Sequence, residues 1–395
     1  MLVTYVIGDC PSCGAKNSYG NVSVRDHVLR GCMHCKYESL VWLPEIRKKV
    51  IYLDQFFFSH SFRGGDQRFL PAVERVKRMS HLQLLVAPYS SIHEDETHQW
   101  RGHKDQTHDQ LMEFIKATAR GAEFDKKYKV ERTQVLKAWV AFLNGKSAEY
   151  VFEDCDAISG SLDKWNDYFR IDVGGYNRDI ELKRTSKNQA VNLLVDIFDE
   201  WQASPQTFDQ HVSLEVSEAG KNYMGTYLTM IARMSQGDFA AIIDSPIASR
   251  VVENMMHWLP DNQSLEDKLR RCAEFFASNH FAQAPYFWLQ ARMFATLRDM
   301  VKRGAYANRE VARKRLSGVL EDINHISLYA PYCDAFVMDT PMADLMQQPT
   351  IRLDQRYGVK VFSLNNWNEL LEWLDNLEAN MSAEHKAGVI AAYPR

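Results

Sequence analysis

The chain has 395 residues, 46% hydrophobic and 25% charged, with 47 Lys and Arg against 51 Asp and Glu for a net charge of −4. That length holds two or three domains with sizeable cores, and the balanced charge excludes a molecule that attracts polyanions through its overall field. No apolar run reaches the ~18 residues of a membrane span and no basic-plus-apolar leader opens the chain, so a cytoplasmic protein with no membrane partner is expected.

The first feature in chain order is a pair of knuckles. Residues 10–13 read CPSC and residues 32–35 read CMHC, which accounts for four of the seven cysteines. Two thiolates on one tight turn occupy two corners of a tetrahedron and a second CxxC supplies the other two. Cys10, Cys13, Cys32 and Cys35 are therefore expected to hold one structural Zn²⁺. A filled four-thiolate shell leaves no open position for catalysis, and His34 is read as a bystander. NVSVRDHVLRG between the knuckles and YESLVWL after them alternate like strands, which gives a zinc ribbon over residues 1–45. Cys155, Cys272 and Cys333 are scattered, as suits free thiols in a reducing compartment.

Short apolar strands and helices follow. VIYL, 50–53, reads as a strand ending at Asp54, RFLPAVERVKRM has helical periodicity, and LQLLVAPYSS, 82–91, looks like a second buried strand. IHEDETHQWRGH then opens a long polar helix. Residues 105 to 300 are mostly helical, with breaks near AISGSLDKW, SPQTFD and LPDNQS. NREVARKRLSGVLEDINHISLYA reads as one helix. DAFVM is a strand, MADLMQQ a short helix, GVKVFSL a strand and NNWNELLEWLDNLEA the closing helix, with Asn365 or Asn366 as N-cap. Strands alternating with helices predict an α/β fold with a mainly parallel sheet. Neither end of the chain has enough strands alone. The sheet-forming halves are placed at 46–104 and 301–395, around a helical insertion at 105–300.

In a parallel sheet the carboxyl ends of all strands face one way, and acids there can converge on one cleft. Asp54 ends the first strand and Asp339 the third. Glu94, Asp95 and Glu96 start the helix after the second, and Asp322 lies on the helix before the third. Singly, such residues are turn or cap acids, or a favourable acidic first helical turn. Together they would repel and raise each other's pKa values, a tension that Mg²⁺ or Mn²⁺ relieves.

VIYLDQ, VAPYSSIHEDET, EDINHISLYAPYCDAFVMD and KVFSLN, taken in order, resemble the PIN-like nuclease domain. The resemblance covers roughly residues 48 to 100 and 305 to 380. It implies a PIN-like parallel sheet flanked by helices and a Mg²⁺- or Mn²⁺-dependent endonuclease acting on RNA in preference to DNA. Asp54, Glu96, Asp322 and Asp339 match the family's catalytic acids. Glu94 is the alternative for the second place and Asp334 for the third, and Thr340 fits the residue after the last acid. Two departures stand out: Asp54 is followed by QFFF rather than small polar residues, and a minimal PIN domain has no insertion of this size. Such an insertion suits a toxin or defence effector held inactive by a regulatory protein partner.

His93 and His325 each lie three residues from a candidate acid, Glu96 and Asp322, on one helix face, where they could orient a carboxylate, contact phosphate or serve as hydrogen-bonded structural residues. Arg313, Lys314 and Arg315, and the basic stretch 125–132, are candidate phosphate grips or solvated helix faces. The rival to a nuclease is a non-catalytic adaptor, in which ribbon and insertion bind nucleic acid or protein beside a relic acidic cleft.

Overall fold

A computed structural model describes residues 2–100, 102, 105–165, 180–316 and 318–394. Two sheets organise it. The first is antiparallel, in the order β1 (Tyr5–Gly8), β2 (Tyr19–Val24), β3 (His27–Cys32) and β4 (Glu38–Trp42). The stretch expected as one strand between the knuckles is a β2–β3 hairpin turning at Arg25 and Asp26. Only glycine fits at position 20, because a Cβ there would lie 2.0 Å from the Tyr5 carbonyl oxygen.

The second sheet is parallel throughout and holds β5 (Lys49–Leu53), β6 (Leu85–Val86), β7 (Ala335–Val337) and β8 (Lys360–Phe362) in the order β6-β5-β7-β8. The VIYL and DAFVM strands are therefore neighbours, with Leu53 opposite Val337. Strand side chains alternate between faces, and here both faces are apolar. Ile51, Leu53, Leu85, Ala335, Val337 and Phe362 pack with helices Gln55–Arg63, Phe69–His81 and Trp367–Ala379. Val50, Tyr52, Val86, Phe336 and Met338 pack against the helical region, including helix Val319–Tyr329.

Several boundaries differ from the sequence expectation. The polar helix after β6 is short, Ser91–Gln99, ending where Trp100 turns extended and Gly102 takes a left-handed φ of 84°. The stretch 308–330 holds two helices, Arg309–Arg315 and Val319–Tyr329, the second beginning after Gly318. Helix His108–Ala119, assigned above to the insertion, packs on helices Gln55–Arg63, Phe69–His81 and Ser91–Gln99 and joins the apolar cluster of β5 and β7 through Leu111, Met112 and Ile115. A last helix, Ala383–Ala392, follows the expected closing helix.

That last helix carries the ribbon. Asn21 Nδ2 donates to the Ala392 carbonyl at 2.6 Å, Tyr5 hydroxyl to that of Pro394 at 2.9 Å, and Arg30 to that of Ala391. Val24, Val28 and Ile46 share an apolar cluster with Trp165, Ala392 and Tyr393. Among the described residues no helix is long and apolar enough to cross a membrane.

Candidate functional site

The four ribbon cysteines come together. Their ligand atoms all lie within 4.8 Å of one another, and the Cys10–Cys35 and Cys13–Cys32 sulfur pairs are each 3.7 Å apart. Four sulfurs at about 2.3 Å from a central Zn²⁺ define a tetrahedron with edges of about 3.8 Å, so the set fits that ion without rearrangement. Backbone amides support the sulfurs: Ser12 N lies 3.4 Å from Cys10 Sγ and His34 N 3.3 Å from Cys32 Sγ. Gly14, at φ 68°, makes the left-handed turn that closes the first knuckle.

The acids lie at the carboxyl edge of the parallel sheet. Asp54 follows β5, and its amide donates to the Val337 carbonyl of β7 at 2.9 Å. Asp339 comes two residues after β7 and caps helix Thr340–Met346, its Oδ1 accepting from Met342 N at 2.9 Å. Asp322 sits in the first turn of Val319–Tyr329, its amide bonded to the Gly318 carbonyl at 3.0 Å. A Cβ on Gly318 would stand 3.2 Å from Asp322 Oδ2, so glycine leaves the carboxylate its position.

Electrostatics tie these groups together. Burial, then Glu96, then Asp339 push the Asp54 carboxyl up to about 7, against the opposing amides of Gln55 and Phe56. Burial and the charges of Asp54, Glu96 and Asp322 hold the Tyr52 hydroxyl well above its ordinary value. Burial also raises Asp339. Tyr52, Asp54, Asp322 and His325, with Phe336 and Met338, line a cavity of ≈10 Å³, about one water. Glu96, not Glu94, therefore faces Asp54. Glu94 acts on Glu123, whose carboxyl burial and that neighbour push up to about 7.

The two histidines separate. His93 is buried, accepts from Ser90 N at 2.9 Å through Nδ1 and donates from Nε2 to the Leu53 carbonyl at 2.9 Å. Both ring nitrogens are committed, so His93 anchors the helix bearing Glu96 to the end of β5. It is not a phosphate contact. Burial drives its pKa down to about 4. The folded value lies below the unfolded ~6.5, so its contribution to stability is present above pH ~6.5 and lost as pH falls toward 4. His93→Gln should flatten that loss, as read from urea unfolding at stepped pH. His325 Nδ1 lies 3.1 Å from the Tyr52 hydroxyl at the cavity.

Two expectations are corrected. Asp334 stands at the opposite end of β7, where Oδ2 accepts from Val50 N at 2.8 Å and Oδ1 pairs with Lys49 Nζ at 2.7 Å. It locks strand register and does not compete with Asp322. Asp334→Ala should cost about 1–3 kcal/mol through the orphaned Val50 amide, measurable by chemical denaturation. Arg313, read above as a phosphate grip, is engaged by protein partners: it bonds Asn192 at 3.1 Å and Asp196 at 2.9 Å and so braces two helices. Lys314 and Arg315 are exposed.

Among the described residues, the groups with three ligand atoms within 4.8 Å are the four cysteines and Glu153, Cys155 and Asp156. The latter set is built around Lys137, which bonds Glu153 at 2.9 Å and Asp156 at 2.8 Å. The sheet-edge acids are spaced more widely. Gln55 explains part of the QFFF stretch: its Nε2 reaches Thr97 at 3.1 Å, tying the segment after Asp54 to the Glu96 helix, while Phe57 and Phe58 fill the core. The Gln55 Oε1 is buried and has no hydrogen-bond partner. Glu123 was missed in the sequence, since only the chain's return beside Tyr89 brings it to this edge. The chain matches no protein-family model, and neither the curated proteins nor the solved structures yield a match.

Proposed function

We propose that this chain is a divalent-metal-dependent nuclease of PIN-like type that hydrolyses phosphodiester bonds, with RNA preferred over DNA. The observation that carries the reading is the Asp54 carboxyl, pushed up to about 7 beside Glu96 and Asp339 at the carboxyl edge of a parallel sheet. Structural acids are placed to pair with cations, and this one is placed against other acids. Asp54, Glu96, Asp322 and Asp339 would hold Mg²⁺ or Mn²⁺. The buried, unbonded Gln55 Oε1 adds an oxygen of the right chemistry beside them. Their wide spacing suits an ion that keeps several of its own waters. When bound, the metal supplies an activated water and charge stabilisation for the leaving oxygen.

The chain's own residues do the rest. Without metal, burial and the neighbouring acids hold the Asp54 carboxyl at about 7, a strain that a bound cation would relieve. Asp339 keeps one oxygen on its helix cap, so its direction is set before substrate arrives. Lys314 and Arg315 are the exposed cations offered to the phosphate backbone. The preference for RNA, the cytoplasmic location and a regulatory partner for a toxin or defence effector follow from the resemblance and composition described above. The wide spacing of the acids also favours the second reading, an adaptor with a relic cleft.

Incubation of labelled generic RNA and DNA with the purified protein, in Mn²⁺, Mg²⁺ or EDTA, decides between them. Cleavage in Mn²⁺ that EDTA stops, faster on RNA, is expected. Intact substrates under all conditions, with zinc-loaded folded protein, would favour the adaptor.

A further inference from the structure

The helical region contains a second cavity, away from the acids. It is ≈800 Å³, of a size that holds small-molecule ligands, and its lining includes Ser213, Ser217, Lys221, Phe276, Trp288 and Arg292. Two guanidinium groups share the Trp288 ring, that of Arg292 in the cavity lining and that of Arg356 bonded to the lining residue Gln283. The Arg292 carbon lies 4.6 Å from the ring centroid and the Arg356 carbon 4.9 Å. They come from distant parts of the chain, helix Pro285–Lys302 and helix Leu353–Tyr357.

Two cations on one indole repel, and such pairs are ordinarily offset by carboxylates. Among the described residues neither arginine forms an ion pair. Arg292 Nη1 donates to the Thr350 carbonyl at 3.2 Å and Arg356 Nη2 to Gln283 Oε1 at 2.8 Å, both neutral acceptors. The Arg292 Nε is buried with no hydrogen-bond partner, and the Tyr357 ring is 5.9 Å from Trp288. Asp209 is the carboxylate whose charge reaches Arg292, opposed by that of Arg356. Lys221 adds a third cation, shared with Glu218 at 2.7 Å. A buried donor without an acceptor and two neighbouring guanidinium groups without an ion pair describe a recess that suits an anion.

We propose that this cavity binds an organic phosphate of mononucleotide size. The phosphate would sit between Arg292 and Arg356, with Lys221, Ser213 and Ser217 at the rim. The apolar wall of Val216, Met224 and Phe276 would take the organic body. A guanidinium fork matches phosphate oxygens in pairs, and a dianion cancels the repulsion between the two arginines.

The test is calorimetric titration of the full, zinc-loaded chain with AMP, UMP and inorganic phosphate in EDTA-free, metal-depleted buffer, followed by the same titrations on Arg292→Gln and Arg356→Gln. Saturable binding of a nucleotide, at least tenfold weaker in both variants, is expected. Because Arg356 is exposed, Arg356→Gln keeps the test valid even if Arg292→Gln disturbs the fold. Absence of saturable binding with all three probes, or unchanged affinity in Arg356→Gln, would overturn the proposal.

Discussion

Asp54→Asn should raise the melting temperature of the metal-free protein at pH 8 while removing divalent-dependent cleavage. The Asp54 carboxyl is raised in the fold from the ordinary 3.8 to about 7 by burial, Glu96 and Asp339. A raised carboxyl contributes stability that is fully present below pH ~4 and is lost as pH rises through about 7, because the folded state must then ionise in an unfavourable place. At pH 8 the ionised group destabilises the metal-free fold by an amount on the order of a few kcal/mol, shared with its neighbours. The amide keeps the size and removes the charge. A rise of about 2–5 °C at pH 8, with little change at pH 4, is expected in calorimetric melts. Cleavage should fall on the order of 10³-fold, since a metal ligand is lost. Asn protein that cleaves like the parent would remove Asp54 from the chemistry, and Asn protein that melts lower at pH 8 would make it a structural acid.

The second large effect concerns the ribbon. Metal analysis of purified protein should find one zinc per chain, and Cys10→Ser or Cys32→Ser should release it. Structural zinc in such small modules contributes apparent free energies of roughly 10–16 kcal/mol at neutral pH, and a segment of this size has too little core to fold without it. The loss should spread. The ribbon holds the main chain at Ala391, Ala392 and Pro394. Hydrogen exchange after chelation should therefore accelerate in helix Ala383–Ala392 as well as in β2 and β3. Protein without zinc, with all four thiols reactive and that helix still protected, would show that the cysteines serve another purpose.

What could be read from the sequence was local. The CxxC spacing identified the four-cysteine cluster because two tight turns define four ligand positions without reference to the rest of the chain. The VIYL and AFVM runs identified two strands because a sheet buried on both faces leaves continuous apolar segments. Roles that depend on a distant partner were not legible. Asp334 looks like a site acid until Lys49 and the Val50 amide are placed beside it. Arg313 looks like a phosphate grip until Asn192 and Asp196 arrive. Glu94 and Glu96 are equivalent in sequence and differ only in which acid faces each across the fold. Helix Ala383–Ala392 has a weak apolar stripe because much of what it offers the ribbon is main-chain carbonyl, which leaves no mark in side-chain pattern.

The pairing of β5 with β7 sets a timetable for synthesis. Ile51 waits for Ala335 and Leu53 for Val337, so a central strand made early has β6 on one side and keeps its other edge open until residue 337 has been translated. Such delayed closure is slow and leaves an apolar strand edge open to misassembly. It also acts as a safeguard. Any fragment that stops short of residue 339 lacks Asp339 beside Asp54, so truncated products from stalled ribosomes or damaged messages cannot assemble the acid pocket.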